Sequence, residues 1–286
     1  MIRFGMRTLD AFARLMHGAR NVHSGLRADA AVREAHLHVV RTYGYHLGLP
    51  EVSLLEFNPL LDEVIDPYSF LEGQAQPTDI ALLKGLARQF PACRYFEIGS
   101  WRGESLANVA GVAGECVSLS LSPDEMRMMK MTEQFIAQHH FFSRNLPNVS
   151  YLAHNSHTLD FSPYEHSFDL IFIDGDHSRR GVTLDTHNAL RLLRDDRSII
   201  VWHDYGQTSE RVDWSVLAGI LDGCPRELHR YLYHVSHTLC VIFTRQTLAA
   251  QFRTFPRSPE TTFGVRIDAR RHDSTAHYTV PKEPGW

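Results

Sequence analysis

The chain has 286 residues, 43% of them hydrophobic and 22% charged, and its formal net charge at pH 7 is −4. This composition is typical of a globular protein and excludes a disordered or fibrous chain. The slightly acidic balance argues against a strongly basic nucleic-acid surface, and no apolar run approaches the about 20 residues that a membrane span requires. We therefore expect one or two globular domains, with neither nucleic acid nor a membrane as partner.

The 4 cysteines are scattered along the chain without the C-x-x-C spacing of a zinc or redox site. Buried, reduced thiols explain this usage best, and reduced thiols are typical of a cytoplasmic protein. We therefore expect a cytoplasmic location. The cysteines are Cys93, Cys116, Cys224 and Cys240.

Residues 1–92 are predicted to be a helical N-terminal extension. The segment from Met1 to Arg20 is basic and mildly amphipathic, and it lacks the apolar core of a signal peptide, so an ordinary first helix is expected. A second helix is predicted to end at Gly44. A third is predicted to open at Pro77, because proline is tolerated in a first helical turn.

From Arg94 onward, short apolar runs alternate with amphipathic segments. This alternation predicts a parallel sheet covered by helices on both faces. No helix separates the last two strands, so the final strand is expected to run antiparallel. Residues 246–286 are predicted to form a tail, in which residues 261–267 are a candidate edge strand. The strands are predicted over residues 95–98, 116–121, 149–153, 168–173, 198–202, 231–235 and 238–243, and the helices over 104–113, 124–138, 182–193 and 214–221.

Two glycines follow the first strand of the predicted sheet. Gly99 and Gly103 lie where that strand turns into a helix, and ligands of such sheets bind at the carboxyl ends of the strands. Glycine there lets the backbone approach a ligand closely. The spacing G-x-x-x-G differs from the G-x-G-x-x-G of dinucleotide-binding folds, which argues against a pyrophosphate site.

Carboxylates and imidazoles end two later strands. Asp174, Asp176 and His177 follow one apolar strand, and His203 and Asp204 follow the next. Such groups contribute nothing to a buried core. They are suited to binding a divalent cation, to acting as a general base, or to forming an inert hydrogen-bonded cluster. For Asp176, capping of the following helix is an equal alternative.

Taken together, the order and spacing of these motifs resemble the class I S-adenosylmethionine-dependent methyltransferases from about residue 94 to residue 244. Glu97, Gly99 and Gly103 match the first motif of that family, and Phe168 to Gly175 matches its later acidic strand end. The pattern I-D-G-D-H, followed by I-I-x-x-H-D-Y, is similar to a branch that includes O-methyltransferases of sugars and antibiotic precursors.

The resemblance implies an α/β fold: a Rossmann-like, doubly wound, seven-stranded sheet in the order 3-2-1-4-5-7-6 with one antiparallel strand. It divides the chain into the helical extension or cap (1–92), the methyltransferase domain (93–245) and the tail (246–286). The extension is expected to cover the cofactor cleft or to form a homodimer contact.

The resemblance also implies S-adenosylmethionine as the cofactor and a set of positions around it. Gly99 and Gly103 would line its methionine and ribose portions, and Glu97 would order the loop or bind the cofactor through water. Asp174 would lie near the sulfonium and the acceptor. The implied cofactor positions are Glu97, Gly99, Ser100, Gly103, Ser120, Asn155, Ser156 and Asp174, with Asn155 and Ser156 at the adenine.

Ser120 departs from the family pattern. The family ends this strand in an acid that accepts two hydrogen bonds from the ribose hydroxyls. A hydroxyl cannot replace that acceptor, and losing one charged hydrogen bond costs about 1–3 kcal/mol. Ser122, Asp124 and Glu125 are candidates to compensate. Otherwise the departure favours a non-catalytic relative.

Either His177 or His203 is expected to be the catalytic base, with Asp174 or Asp204 orienting it. In the metal-dependent branch of the family, the counterparts of Asp174 and Asp204 bind magnesium. Here the neighbours of Asp204 are His203 and Tyr205, which leaves the ligand set incomplete, so a metal-free base is expected ahead of a metal site. Trp202 and Tyr205 either stack on the acceptor or belong to the core.

The leading hypothesis is therefore a methyltransferase that acts on an oxygen of a small molecule or sugar. Two alternatives remain. One is a binding protein that keeps the fold without the reaction, which the departure at Ser120 motivates. The other is an NAD-dependent dehydrogenase, against which the spacing of Gly99 and Gly103 counts.

Overall fold

The computed structural model describes residues 30–254 and 256–271, so the predicted helix from Met1 to Arg20 lies outside the described part. The described chain forms one sheet of 8 strands with helices on both faces. The strands are β1 (Glu51–Val52), β2 (Arg94–Ile98), β3 (Glu115–Ser120), β4 (Val149–Ala153), β5 (Leu170–Ile173), β6 (Ile199–Trp202), β7 (Leu232–Val235) and β8 (Val241–Phe243).

The helices connect these strands and cover the sheet. Short 3-10 turns occur at Leu54–Glu56, Ser162–Tyr164 and Arg226–Tyr231. No helix of the described residues is long and apolar enough to span a bilayer. The α-helices are α1 (30–43), α2 (Pro77–Ala87), α3 (Glu104–Ala110), α4 (Pro123–Met128), α5 (Glu133–Ala137), α6 (Arg179–Leu192) and α7 (Trp214–Gly223).

The strand order is β1-β7-β8-β6-β5-β2-β3-β4. Only β8 runs antiparallel, to β6 on one side and to β7 on the other. When β2 to β8 are renumbered 1 to 7 and taken from β4 to β7 across the sheet, they follow the predicted order 3-2-1-4-5-7-6. The Rossmann-like class, the order and the antiparallel final strand are therefore confirmed. The strand β1 is an addition that was not predicted. It belongs to the N-terminal extension and pairs in parallel with β7.

Three local predictions were wrong. The helix predicted over residues 124–138 is divided into α4 and α5, because Lys130 adopts a left-handed φ of 62° and Thr132 caps a new helix. Residues 261–267 form no strand. The chain pairs earlier instead, where Gln251 bridges Glu51 of β1. The N-terminal extension is only partly helical, since residues 57–76 are largely irregular.

Two apolar clusters fill the space between the sheet and its helices. On one face, Phe96 and Ile171 pack against α6 and α7. On the other face, Tyr95 and Phe172 pack against α2 and α3. Because both faces are covered, the polar side chains of the central strands are concentrated at the carboxyl edge of the sheet. All four cysteines are buried free thiols, as expected.

Trp202 and Tyr205 belong to this core. The indole N–H of Trp202 donates to Thr186 Oγ1 at 2.9 Å, and the hydroxyl of Tyr205 accepts from the backbone N–H of Leu49 at 2.8 Å. Each side chain is 1% exposed. Of the two interpretations offered by the sequence, the structure therefore favours core packing over stacking on an acceptor.

Candidate active site

The loop after β2 lies directly against the loop after β5. Gly99 has a φ of 88° and Gly103 a φ of 80°, both in the left-handed region that favours glycine. A Cβ atom at Gly99 would overlap the carbonyl of Asp174, and one at Gly103 would overlap the hydroxyl of Ser143. Glycine is therefore required at Gly99 by the backbone after β5 and at Gly103 by the side chain of Ser143.

Four ionisable side chains meet beside this loop. They are Asp174 and His177 after β5, and His203 and Asp204 after β6. His177 Nε2 lies 3.0 Å from Asp204 Oδ2 and 3.6 Å from Asp174 Oδ1. His203 Nδ1 lies 3.2 Å from Asp174 Oδ1 and 3.2 Å from Asp204 Oδ1. The structure thus brings together the residues that the sequence predicted at two strand ends.

The two imidazoles differ sharply in exposure. The side chain of His177 is 51% exposed, whereas that of His203 is 4% exposed. Asp174 and Asp204 are intermediate, at 24% and 34%. A molecule that enters from solvent therefore reaches His177 and the two carboxylates, while His203 lies behind them.

The carboxylates control the charge of both imidazoles. Hydrogen bonds to Asp174 and Asp204 raise the pKa of His177 to about 10. Burial lowers the pKa of His203, but the facing carboxylates outweigh burial and raise it well above its ordinary value. Burial likewise opposes ionisation of Asp204, and the two imidazoles outweigh it and lower its pKa. The resting cluster therefore holds two imidazolium cations between ionised carboxylates.

A metal ion has one candidate position among the described residues. Asp174, His177 and Asp204 offer ligand atoms that all lie within 4.8 Å of one another. Carboxylate oxygens suit magnesium, and an imidazole suits transition metals. Asp176 lies apart from this set, because its carboxylate accepts from the backbone N–H and the hydroxyl of Ser178, each at 2.9 Å. Asp176 is therefore a local cap of the turn.

Asp79 completes the cluster from outside the predicted domain. Its carboxylate Oδ2 lies 3.0 Å from Nε2 of His203, and the residue is fully buried. In the sequence, this position lies only near the opening of the helix predicted at Pro77. The one signal in the sequence was an acid in the first turn of that helix, and helices commonly carry an acid there.

Glu97 is buried beneath the glycine loop. Its carboxylate accepts a hydrogen bond of 2.7 Å from the hydroxyl of Tyr95 and longer ones from Ser105. Burial raises the pKa of Glu97 to about 7, against the hydrogen bond from Tyr95. Glu97 therefore lies under the loop and supports it rather than facing a ligand directly.

Ser120 contacts a residue that the sequence did not single out. Its hydroxyl lies 3.3 Å from Nε2 of His140, whose ring packs 4.2 Å from that of Tyr151. The backbone N–H of His140 donates to the carbonyl of Trp101 in the glycine loop at 2.6 Å. Burial lowers the pKa of His140 to about 3, so this imidazole is neutral near pH 7. No spacing rule could have placed a residue 20 positions along the chain beside Ser120.

The three residues expected to compensate at Ser120 are engaged in local structure. Ser122 and Glu125 form the capping box of α4, and Glu125 also accepts from the backbone N–H of Asn155 at 3.2 Å. Asp124 is exposed and pairs with Arg127. The polar partner that the structure provides at Ser120 is therefore His140.

The fold and this edge define a Rossmann-like α/β domain with a polar site at the carboxyl ends of its central strands. Residues 96–205 match the family model Methyltransf_24, described as a methyltransferase domain. This match confirms the resemblance to class I S-adenosylmethionine-dependent methyltransferases over the matched residues. No curated protein matches the chain.

Solved structures show similar folds at low identity. An O-methyltransferase from Bacillus cereus in complex with SAH is 18% identical over 61% of this chain and 84% of its own, with a TM-score of 0.40. An SAH-bound methyltransferase from Podospora anserina is 19% identical over 53% of this chain and 62% of its own, with a TM-score of 0.36.

The YcgJ protein from Bacillus subtilis is 17% identical, with a TM-score of 0.34. That likeness covers 46% of this chain, which spans only 52% of the YcgJ protein.

Proposed function

We propose that this protein transfers the methyl group of S-adenosylmethionine to an oxygen atom of a small molecule or sugar. The observation that carries the proposal is the cluster of Asp174, His177 and Asp204 beside the loop of Gly99. It places groups that bind a hydroxyl and take its proton beside a tightly turned glycine loop at the carboxyl edge of the sheet.

The residues at this edge fit the proposed cofactor. Gly99 and Gly103 give the loop its left-handed turns and let it pack tightly against Asp174 and Ser143. The hydroxyl of Ser100, in the same loop, is buried and has no hydrogen-bond partner among the described side chains and backbone. The bound cofactor would supply an electrophilic methyl group on a sulfonium. Gly99, Ser100 and Asp174 would hold its methionine portion.

The far end of the cofactor would lie over β3 and β4. Asn155 and Ser156 follow β4 and are half-buried, which suits contact with the adenine. At the ribose, Ser120 and the neutral imidazole of His140 form a pair of hydrogen-bonding groups in place of the usual acid. Such a pair binds hydroxyls without charge, so cofactor affinity is expected to be modest.

We assign the role of base to His177, with Asp204 orienting it. Of the two candidate imidazoles, His177 is the exposed one, and its Nε2 lies 3.0 Å from Asp204. A pKa of about 10 means that His177 is protonated near pH 7 and must release its proton before it can accept one from the acceptor hydroxyl. Methyl transfer should therefore accelerate as pH rises toward that value.

A divalent cation at Asp174, His177 and Asp204 is the alternative for the same site. It would require a neutral His177, because metal ligands must be deprotonated, and it would bind the acceptor oxygen and ease its deprotonation. Titration with and without magnesium separates the two arrangements. If the protein binds magnesium, Asp174 and Asp204 are supported as its ligands. If it binds no magnesium, the metal-free base is supported.

Isothermal titration with S-adenosylhomocysteine, with and without magnesium, tests the proposal. Saturable micromolar binding would support the cofactor and direct the next step to screening hydroxyl acceptors. Absence of binding in both conditions would overturn the proposal and favour a binding protein without the reaction, as the departure at Ser120 suggests. A fluorescence titration with NADH would test the less favoured dehydrogenase, which the spacing of Gly99 and Gly103 opposes.

We further propose a cytoplasmic protein that dimerises through its N-terminal extension. Fractionation of cells and light scattering of the purified chain test these two points. Finding the protein outside the cytoplasm would contradict the proposed location. Finding a monomer at high concentration would contradict the proposed dimer.

A further inference from the structure

Asp79 lies in the first turn of α2, outside the segment that matches the methyltransferase family. Its carboxylate is completely buried and accepts three hydrogen bonds, one from the cap of its own helix and two from distant parts of the chain. Oδ2 accepts from the backbone N–H of Gln76 at 2.6 Å, and Oδ1 accepts from that of Leu239, between β7 and β8, at 2.8 Å. The third partner is Nε2 of His203, 3.0 Å from Oδ2.

The third contact exceeds what a helix cap requires. A capping carboxylate satisfies free backbone N–H groups at the start of a helix, and the bond that Asp79 accepts from the N–H of Gln76 already fulfils that role here. The bond to Leu239 ties down the turn between two strands. Neither the helix cap nor the bond to Leu239 needs an imidazole. The ring of His203 nevertheless points at Asp79, and the side chain of His203 is only 4% exposed.

The contact with Asp79 determines which way the ring of His203 faces. With Nε2 committed to Asp79, only Nδ1 is left to face the site, 3.2 Å from Asp174 and 3.2 Å from Asp204. Without an acceptor behind Nε2, the ring is free to flip, which would turn Nδ1 away from the two carboxylates. The placement of both site carboxylates against His203 therefore depends on a group that α2 contributes.

We propose that Asp79 is a positioning residue, which holds His203 so that its Nδ1 braces Asp174 and Asp204 toward His177. Its relevance to methyl transfer rests on the proposed function. The N-terminal extension then completes the site, because one of its side chains determines the geometry of residues in the methyltransferase domain. Asp79 acts through His203 and touches neither the glycine loop nor the exposed mouth of the site.

The test compares Asp79→Asn with Asp213→Asn. Asp213 is the matched control, since it caps α7 by accepting from the backbone N–H groups of Ser215 and Val216. The readout is the imidazole N–H signals of the full chain labelled with 15N-histidine, in which His203→Gln assigns the signals of His203. We expect a protected Nε2–H signal of His203 that is lost or displaced in Asp79→Asn and unchanged in Asp213→Asn.

A purely structural role predicts a different result. Both variants would then lower the melting temperature while the signals of His203 stay in place, and this result would overturn the proposal. Should Asp79→Asn fail to fold, Asp79→Glu keeps the charge and displaces it by one methylene. A displaced His203 signal in that variant supports the proposal, and an unchanged one overturns it.

Titration with S-adenosylhomocysteine separates this inference from the proposed function. Asp79→Asn should bind it within about twofold of the wild type, because Asp79 does not contact the cofactor loop, while transfer to a hydroxyl acceptor falls about tenfold or more. Failure of the wild type to bind S-adenosylhomocysteine would count against the proposed function alone. The imidazole signals would still decide whether Asp79 positions His203.

Discussion

His177 and His203 face the same two carboxylates, yet they are suited to different tasks. His203 is enclosed, and both its ring nitrogens face carboxylates. His177 has one nitrogen on Asp204 and a largely exposed ring. In the sequence, His177 and His203 look alike, because both are histidines that follow the end of a predicted strand. Only burial and the position of Asp79 distinguish His177, the proposed base, from the enclosed His203.

Glu97 provides a prediction at the residue scale. Its pKa is raised from an ordinary 4.5 to about 7, so the folded state keeps a proton that the unfolded state releases at lower pH. The stability from this group is fully present below about pH 4.5 and is lost as pH rises to about 7, by up to about 3 kcal/mol. Glu97→Gln should flatten that part of the stability profile.

Urea unfolding between pH 4.5 and 8 measures the difference, with Glu115→Gln as the control. Glu115 has a side chain that is 49% exposed and should leave the profile unchanged. Parallel curves for Glu97→Gln and the wild type would contradict a buried, proton-holding Glu97.

His140 provides a second prediction at this scale. Its Nε2 adjoins the hydroxyl of Ser120, where the proposed cofactor places its ribose. His140→Ala should weaken S-adenosylhomocysteine binding about five- to tenfold, the equivalent of about 1 kcal/mol for one lost hydrogen bond. Calorimetric titration measures the change, and exposed His187 provides the control His187→Ala. Equal affinities for both variants would place the ribose elsewhere.

Capping residues determine how the segment between β3 and β4 folds. The capping box of Ser122 and Glu125 begins α4, and the N-cap of Thr132 begins α5. The apolar spacing that predicted one helix runs through both, but Lys130 turns the chain with a positive φ. This break brings the following residues back across the glycine loop, where His140 reaches Ser120.

The edge strand β1 and the C-terminal segment hold each other. The backbone groups of Glu51 and Gln251 exchange two hydrogen bonds, of 2.8 and 3.0 Å, and the buried carboxylate of Glu51 accepts two bonds from Arg257 at 2.7 and 3.0 Å. His234 and Arg253 lie farther from the same carboxylate. A buried charge at a short edge strand therefore anchors the tail.

Arg257→Ala should loosen this element. Removing the guanidinium of Arg257 leaves the buried charge of Glu51 with fewer hydrogen bonds. We therefore expect the free energy of unfolding to fall by about 1–3 kcal/mol and amide exchange at Glu51 and Gln251 to become faster. Hydrogen exchange measures the second effect. Arg266→Ala is the control, since that side chain is 88% exposed and pairs only with its neighbour Asp268. Unchanged exchange in Arg257→Ala would contradict an anchoring role.

The N-terminal extension and the sheet share one core at the scale of the molecule. Leu82, Leu83 and Leu86 of α2 are each at most 1% exposed and pack with Tyr95 and Phe172 of the sheet. The methyltransferase domain predicted over residues 93–245 would expose this face if it were separated from α2. The predicted boundary near residue 92 therefore divides a continuous core.

A fragment of residues 93–245 should accordingly fail to fold as a stable unit. Each large α2 side chain removed from such a core costs about 2–5 kcal/mol, and the sum over three leucines is comparable to the stability of a whole domain. Circular dichroism melting would compare the fragment with one of residues 30–271. A cooperative transition of the shorter fragment near that of the longer one would contradict the prediction.

The sequence by itself determined the class of fold, the order of the core strands and the strand ends that carry the site. These features follow from local information, because apolar periodicity specifies strands and helices and parallel strands place their carboxyl ends at one edge. It also showed the departure at Ser120. It did not predict β1, whose two residues are too short for a periodic signal.

Tertiary structure alone decided which groups complete the site. Asp79 and His203 are separated by 124 positions and Ser120 and His140 by 20, and no local pattern links residues that only packing brings together. It decided the charges as well, since the raised pKa values of Glu97 and His177 arise from burial and from facing carboxylates. Proximity and burial are properties of the folded chain, and the chemistry of this site depends on both.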